Sequence, residues 1–246
     1  MTVENVPVPY QALPEDWQRA LVIVAHPDDV EYGGAAAVAR WTGQGKEVAY
    51  SLVTSGEAGI DAMPPDKAGP VREAEERASA QLVGVHAVEF LGHPDGIVEY
   101  GLPLRRDLAR AIRRHRPEIV VTSNFRDSWG GVFPNQADHI AVGRAALDAA
   151  RDAGNRWVFP GVGAEPWSGV RAVWALGSPE AGHAVDVTET FAVGVASLRA
   201  HEAYLTGLGA DSPDPEEFLE SFARAAGTRL GCKLAVSFEV YPLQFL

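Results

Sequence analysis

The sequence predicts an α/β fold, a Rossmann-like three-layer arrangement around a mostly parallel sheet. Through the first half of the chain, apolar runs of strand length alternate with helical stretches in the order β-α-β-α-β-α-β. Such alternation sets strands parallel and joins them by right-handed crossovers. The runs also break off in polar turns at their carboxyl ends, which is where open α/β sheets bind ligands. A length of 246 residues suits one large domain, 1–246, and an apolar fraction of 46% is ordinary for a globular chain.

The elements follow from local chemistry. Residues 1–16 are punctuated by proline and are expected to lie extended across the surface. The first strand, 20–25, stops at His26-Pro27, because proline cannot donate to a ladder and turns the preceding residue away from helix. Gly33-Gly34 and an alanine-rich run give a helix at 33–42, closed by Gly43 and Gly45. Residues 47–54 alternate as a second strand and end in the turn Thr54-Ser55-Gly56-Glu57-Ala58-Gly59. Residues 60–70 lack periodicity and read as a loop. A helix at 71–82, a strand at 87–91, a helix at 102–115 stopped by Pro117 and a strand at 119–122 follow. Arg105, Arg106, Arg110, Arg113 and Arg114 read as a solvated helix face.

Next comes a loop, 123–137, of a length that is usually functional or disordered, and then a helix to about residue 153. Further on, 156–160, 171–176 and 184–187 read as short strands. Residues 188–204 and 218–226 read as helices, separated by the acidic, proline-rich stretch 211–217. Trp157, Trp167 and Trp174 are expected to pack in the core or at its rim. Residues 237–246 are strand-like, suited to a sheet edge or to a second copy of the chain, which leaves a homo-oligomer open.

Composition narrows the function. A net charge of −12 argues against nucleic acid and anionic membrane as partners. No apolar run approaches the ~20 residues of a spanning helix, and residues 1–20 lack the pattern of a signal peptide. One cysteine, Cys232, excludes an internal disulfide and suits a cytoplasmic location. Any metal must therefore be held by histidine and carboxylate. No G-x-G-x-x-G follows the first strand, so a dinucleotide site is not expected.

The chemistry concentrates at Ala25-His26-Pro27-Asp28-Asp29-Val30-Glu31. His26 offers an imidazole nitrogen, Asp29 a carboxylate for a borderline cation, and Asp28 a base for a water molecule. Taken alone, Asp28 or Asp29 is equally well explained as a helix cap. A second carboxylate–histidine pair, Asp138-His139, stands at a later strand-to-helix junction, as a third metal ligand would require. Glu57 in its turn and Asp95 in Pro94-Asp95-Gly96 each have a sufficient explanation as turn residues, and Arg72 has one as a solvated helix charge.

The run Ala25 to Glu31 resembles the AHPDD(x)E signature of the PIG-L/LmbE-like deacetylases, zinc enzymes that remove acyl groups from N-acetylated sugars. The likeness extends from about Leu21 to His201. It takes in the T-x-G-E-x-G turn with Glu57, the R-x-x-E pair Arg72 and Glu75, the segment ending Pro94-Asp95-Gly96, and Gln136-Ala137-Asp138-His139 at the family's H-x-D-H. The resemblance implies His26, Asp29 and His139 as ligands of Zn2+, and Asp28 as the base that also returns the proton. Asp138 would orient a histidine, and Arg72, Asp95 and Glu57 would line a pocket for a small N-acylated sugar. Gln136 replaces the first histidine of H-x-D-H; it can donate a hydrogen bond to an oxyanion but cannot deliver a proton. His93 or His201 would then be the alternative proton source. Within this class the alternatives are an amidase on a thiol-sugar conjugate or an antibiotic intermediate, or a catalytically impaired zinc-binding member.

Overall fold

The computed structural model describes residues 8–209 and 212–243. In chain order the elements are β1 (Gln11–Ala12), β2 (Arg19–Val24), α1 (Ala35–Gly43), β3 (Glu47–Leu52), α2 (Pro65–Leu82), β4 (Ala87–Phe90), α3 (Leu102–His115) and β5 (Ile119–Ser123). Then come β6 (Ser128–Trp129), β7 (Phe133–Pro134), α4 (Ala137–Asp152), β8 (Ala172–Leu176), β9 (His183–Asp186), α5 (Phe191–Arg199), α6 (Glu202–Gly207), α7 (Pro215–Leu230) and β10 (Ala235–Pro242).

Eight strands form one sheet in the order β1-β9-β10-β8-β5-β2-β3-β4. From β8 to β4 the pairings are parallel, while β10 runs antiparallel to both β8 and β9. The parallel strands are apolar throughout because both of their faces are covered. Along β2, Val22 and Val24 face the α1 side with Trp41, and Leu21 and Ile23 face α3 and α4 with Leu108 and Ile112. Helices α1, α2, α5 and α7 lie on one face and α3 and α4 on the other, giving the expected three layers. Trp17, Trp41 and Trp174 are buried together, with ring centroids 5.3 to 6.0 Å apart.

Several local expectations need correction, each for a tertiary reason. Helix α2 starts at Pro65, well before residue 71, and contains Pro70. Pro70 cannot donate to the carbonyl four residues back, and the helix continues through it with Ala68 and Gly69 buried beside it. Residues 156–160 are turns, because Arg113 takes the backbone acceptors a ladder would need. Its guanidinium donates to the carbonyls of Asn155, Val158 and Phe159 at 2.8 to 3.2 Å. Arg113 is 4% exposed and so is not on the solvated face.

The helix expected at 188–204 is two, α5 and α6, broken at His201 (φ −85°, ψ 57°), whose ring turns inward. The last helix is longer than expected because the Asp214 carboxylate accepts the Glu216 N–H at 2.8 Å and Pro215 opens the first turn. Strand β10 is internal, between β8 and β9, and residues 244–246 of that stretch lie outside the described residues. Trp174 is buried and Trp167 donates to the Pro117 carbonyl, whereas Trp157 is exposed. At the other end, residues 8–16 do more than cross the surface: β1 pairs with β9 and Leu13 is buried, while residues 1–7 fall outside the described residues.

Candidate metal centre

Strands β2 and β5 are neighbours, but the chain leaves β2 toward β3 and leaves β5 toward β8 on the opposite side. Between them lies the topological switch point, where the loops part and leave a crevice at the carboxyl ends. The turn His26-Pro27-Asp28-Asp29 leaves β2 on one side of this crevice. The loop 124–136 leaves β5 on the other and delivers Asp138 and His139 on the first turn of α4.

The two histidines meet here, with ring centroids 5.2 Å apart. His139 Nε2 is 2.9 Å from Asp29 Oδ1, and His26 Nδ1 is 3.7 Å from the same oxygen. The other Asp29 oxygen accepts the N–H groups of Ala25 and His26 at 2.9 and 3.1 Å, which fixes the carboxylate. The far nitrogen of each ring is held as well. His26 Nε2 lies 3.0 Å from Asp95 Oδ1 and 3.3 Å from Asp138 Oδ2, and His139 Nδ1 lies 3.0 Å from Asn135 Oδ1. An acceptor behind each imidazole would leave the nitrogen that faces Asp29 available to a metal ion, the arrangement seen around metal-binding histidines. His26, Asp29 and His139 offer ligand atoms within 4.8 Å of one another. His26, Asp95 and Asp138 are equally close, but the Asp138 oxygens accept the Gly96 and Val98 N–H groups at 2.7 and 3.0 Å and Asp95 Oδ2 accepts that of Ala58 at 2.8 Å. That second set braces His26 from behind.

Charge points the same way. Burial by itself would lower His26, yet Asp138, Asp29 and Asp95 outweigh it and push its pKa up to about 12. His139 is raised against its burial by Asp29, and Asp29 is held well below the usual carboxylate range against its own burial by both histidines. Three carboxylates around two imidazoles call for positive charge, and the donor set fits a divalent cation of borderline softness.

Asp28 sits beside this centre in a left-handed backbone conformation, φ +96°, unusual for a residue other than glycine. Glu76 Oε2 accepts its N–H at 3.2 Å, and Arg72 Nη2 is 3.1 Å from its Oδ1. Burial raises its carboxyl to about 6, with Arg72 pulling the other way. Arg72 is 3% exposed. Its guanidinium also donates to the carbonyls of Gly56 (3.0 Å) and Pro27, and stacks 4.3 Å over the Tyr204 ring. The structure thus gives Arg72 to Asp28 and leaves it little surface for a substrate. It also explains the glycines of the 54–59 turn, since a Cβ at Gly56 or Gly59 would collide with Arg72.

The remaining candidates are spread around the mouth. Glu57 accepts the Asp95 and Ser55 N–H groups at 3.0 and 3.2 Å, tying the two turns together. Gln136 is the N-cap residue of α4, exposed, with no side-chain hydrogen bond among the described residues. His93 Nε2 lies 3.2 Å from Asp107, and His201 is fully buried, so neither stands open to the crevice as a proton source. Sequence reasoning missed Glu76, Asn135 and Tyr204. Asn135 carried a local signal, four residues before His139, one helical turn away.

An open α/β sheet with two braced imidazoles and a carboxylate at its switch point is an arrangement suited to holding a divalent cation. The sequence profile of the GlcNAc-PI de-N-acetylase family matches residues 21–150, and the chain belongs to that family, whose members are metal-dependent deacetylases acting on amide bonds. The diacetylchitobiose deacetylase of Thermococcus kodakarensis is 28% identical over 194 residues, covering 76% of this chain and 70% of its own. The 1D-myo-inositol 2-acetamido-2-deoxy-alpha-D-glucopyranoside deacetylase of Streptomyces avermitilis is 28% identical over 185 residues, covering 64% of this chain and 60% of its own.

Among solved structures, the N,N'-diacetylchitobiose deacetylase of Pyrococcus horikoshii superposes with a TM-score of 0.83 at 22% identity, over 93% of this chain and 85% of that one. The 4-carboxy-2-hydroxymuconate hydratase GalB of Pseudomonas putida KT2440 superposes at 0.74 and 21% identity, over 93% and 98%. The fold alone therefore does not fix the reaction; the family model is that of a de-N-acetylase, and the two relatives named above are deacetylases of acetamido sugars. No helix among the described residues is long and apolar enough to cross a membrane.

Proposed function

We propose that this chain is a zinc-dependent amide hydrolase that removes an acetyl or other acyl group from an N-acylated amino sugar or a metabolite containing one. The observation that carries the reading is the pairing of braced histidines with Asp29, next to a buried carboxyl on Asp28 whose pKa is raised to about 6. When a divalent cation is held by His26 Nδ1, Asp29 and His139 Nε2, it supplies Lewis acidity toward an acyl carbonyl and an attacking water.

Asp28 accepts the proton of that water as the C–O bond forms, and returns it to the nitrogen as the C–N bond breaks, releasing a carboxylic acid and a free amine. A pKa near the working pH suits both transfers. Asp95 and Asp138 hold the His26 ring, and Asn135 holds that of His139. Gln136 offers its amide N–H to the developing oxyanion in place of the family's histidine. We place the reaction in the cytoplasm and take a thiol-sugar conjugate or an antibiotic intermediate as the alternative substrates.

Acetate release from N-acetylglucosamine derivatives by zinc-loaded protein, wild type beside Asp28→Asn, tests the assignment. The variant is expected to keep the wild-type zinc content and to lose about 10²- to 10⁴-fold in turnover. Full activity in the variant removes Asp28 from its role. No release from any N-acyl amino sugar by the loaded wild type favours the impaired member.

A further inference from the structure

Behind the loop that carries Asp28 lies a second cluster which the reaction leaves unused. Glu31 follows the two aspartates, Glu76 sits on α2, and His201 occupies the break between α5 and α6. They are 1%, 0% and 0% exposed. Two carboxylates and an imidazole removed from water need close partners, and here the partnering falls short. His201 Nε2 stands 3.8 Å from Glu31 Oε2 and 3.8 Å from Glu76 Oε2, beyond hydrogen-bond reach. Neither ring nitrogen has a partner among the described residues, and Glu31 Oε2 and Glu76 Oε1 are also unmatched. The other carboxylate oxygens are engaged. Ser79 Oγ donates to Glu31 Oε1 at 2.6 Å, with Ser197 Oγ 2.6 Å behind it, and Glu76 Oε2 accepts the Asp28 N–H.

We propose that Glu31, Glu76 and His201 hold a second divalent cation, buried and separate from the one at the strand ends. One donor atom from each residue lies within 4.8 Å of the others. A separation of 3.8 Å is too long for a hydrogen bond, but two donors that both bind an ion at about 2.1 Å stand that far apart at an angle of roughly 130°. Charge agrees, since one divalent cation neutralises two carboxylates beside a neutral imidazole. With Glu76 bidentate through its free Oε1, the set reaches the four donors of a closed, structural site, and imidazole with carboxylate oxygens suits zinc. No side of this cluster is open to a substrate. The ion would clamp the loop after β2, α2 and the α5–α6 break together. Through Glu76 it would also fix the left-handed turn at Asp28.

The test counts zinc in the purified, zinc-supplied chain beside His139→Ala, which disables the strand-end site and leaves the buried cluster intact. Two zinc ions per chain in the wild type and one in the variant are expected. One and none overturn the buried site and leave the strand-end reading standing. One in both supports the buried site and removes the strand-end one, and none in either overturns both. Anomalous diffraction at the zinc edge from crystals of His139→Ala then locates the remaining ion without a further substitution. A peak between Glu31, Glu76 and His201 supports the proposal, and a peak elsewhere overturns it.

Discussion

Arg72 carries a demanding prediction, because two readings of it give opposite outcomes. Its sequence context implies a substrate contact, whereas its side chain is turned inward with 3% exposure. Replacing Arg72 by alanine strands the Asp28 carboxyl in a buried site and removes donors from the Gly56 and Pro27 carbonyls. Breaking one side of a buried ion pair costs about 3–5 kcal/mol. The lost stacking on Tyr204 falls within that range rather than adding to it.

At about 2–4 °C per kcal/mol for a chain of this size, the melting temperature should fall by roughly 6–20 °C. Arg72→Lys keeps the charge but cannot span three acceptors from one planar fork, so it should recover about half of the loss. Urea unfolding followed by the fluorescence of the buried tryptophans gives the stability. Steady-state kinetics on any accepted N-acyl sugar should show kcat falling while KM stays nearly constant, since Asp28 is displaced and no substrate contact is lost. A stability loss under about 1 kcal/mol with KM raised about tenfold would refute this and return Arg72 to the pocket.

Two further outcomes follow from neighbouring features. Gln136→His restores an ionisable group at the exposed N-cap of α4, three residues before His139, and should raise kcat about tenfold or more between pH 6 and 8; an unchanged pH–rate profile would mean that Gln136 is not near the leaving group. Glu89 is held down to about 2 from an ordinary 4.5, its burial outweighed by His115 and Arg114. A depressed carboxyl stabilises the fold above pH 4.5 and loses that contribution as pH falls toward 2. The shift caps the effect at about 3 kcal/mol, and screening around the half-exposed Arg114 brings it nearer 1 kcal/mol. Glu89→Gln should therefore narrow the stability gap between pH 7 and pH 3 by about 1 kcal/mol, and an unaltered gap in urea titrations would count against it.

Much of this arrangement was legible along the chain because its signals are local. The strand that ends at His26-Pro27, the glycines that close α1 and the carboxylate–histidine pair at the start of α4 are each a few residues long. The convergence of His26 and His139 followed from parallel strands, which must end side by side. What could not be read was the destination of long charged side chains. Arg72 and Arg113 have the periodicity of solvated helix residues, and only the arrival of the 54–59 turn and of residues 153–159 buries them. Glu76 gives no sign in sequence that it faces His201, because their contact joins segments more than a hundred residues apart. The break at His201 was hidden for a similar reason, since its cause is the inward turn of the ring and no helix-breaking residue marks it.

Asp138 grips the chain after β4 by the main-chain N–H groups of Gly96 and Val98 and by no side chain. Asp138's hold is therefore indifferent to the side chain of Ile97, which lies between the two amides and is 70% exposed, whereas Asp95 just before them must keep its carboxylate on His26. Over generations such a segment can exchange its outward residues freely while the imbedded imidazole stays in place. In the laboratory Ile97 is the first position of that stretch to randomise, with Asp95 kept, when a different substrate is wanted from the same scaffold.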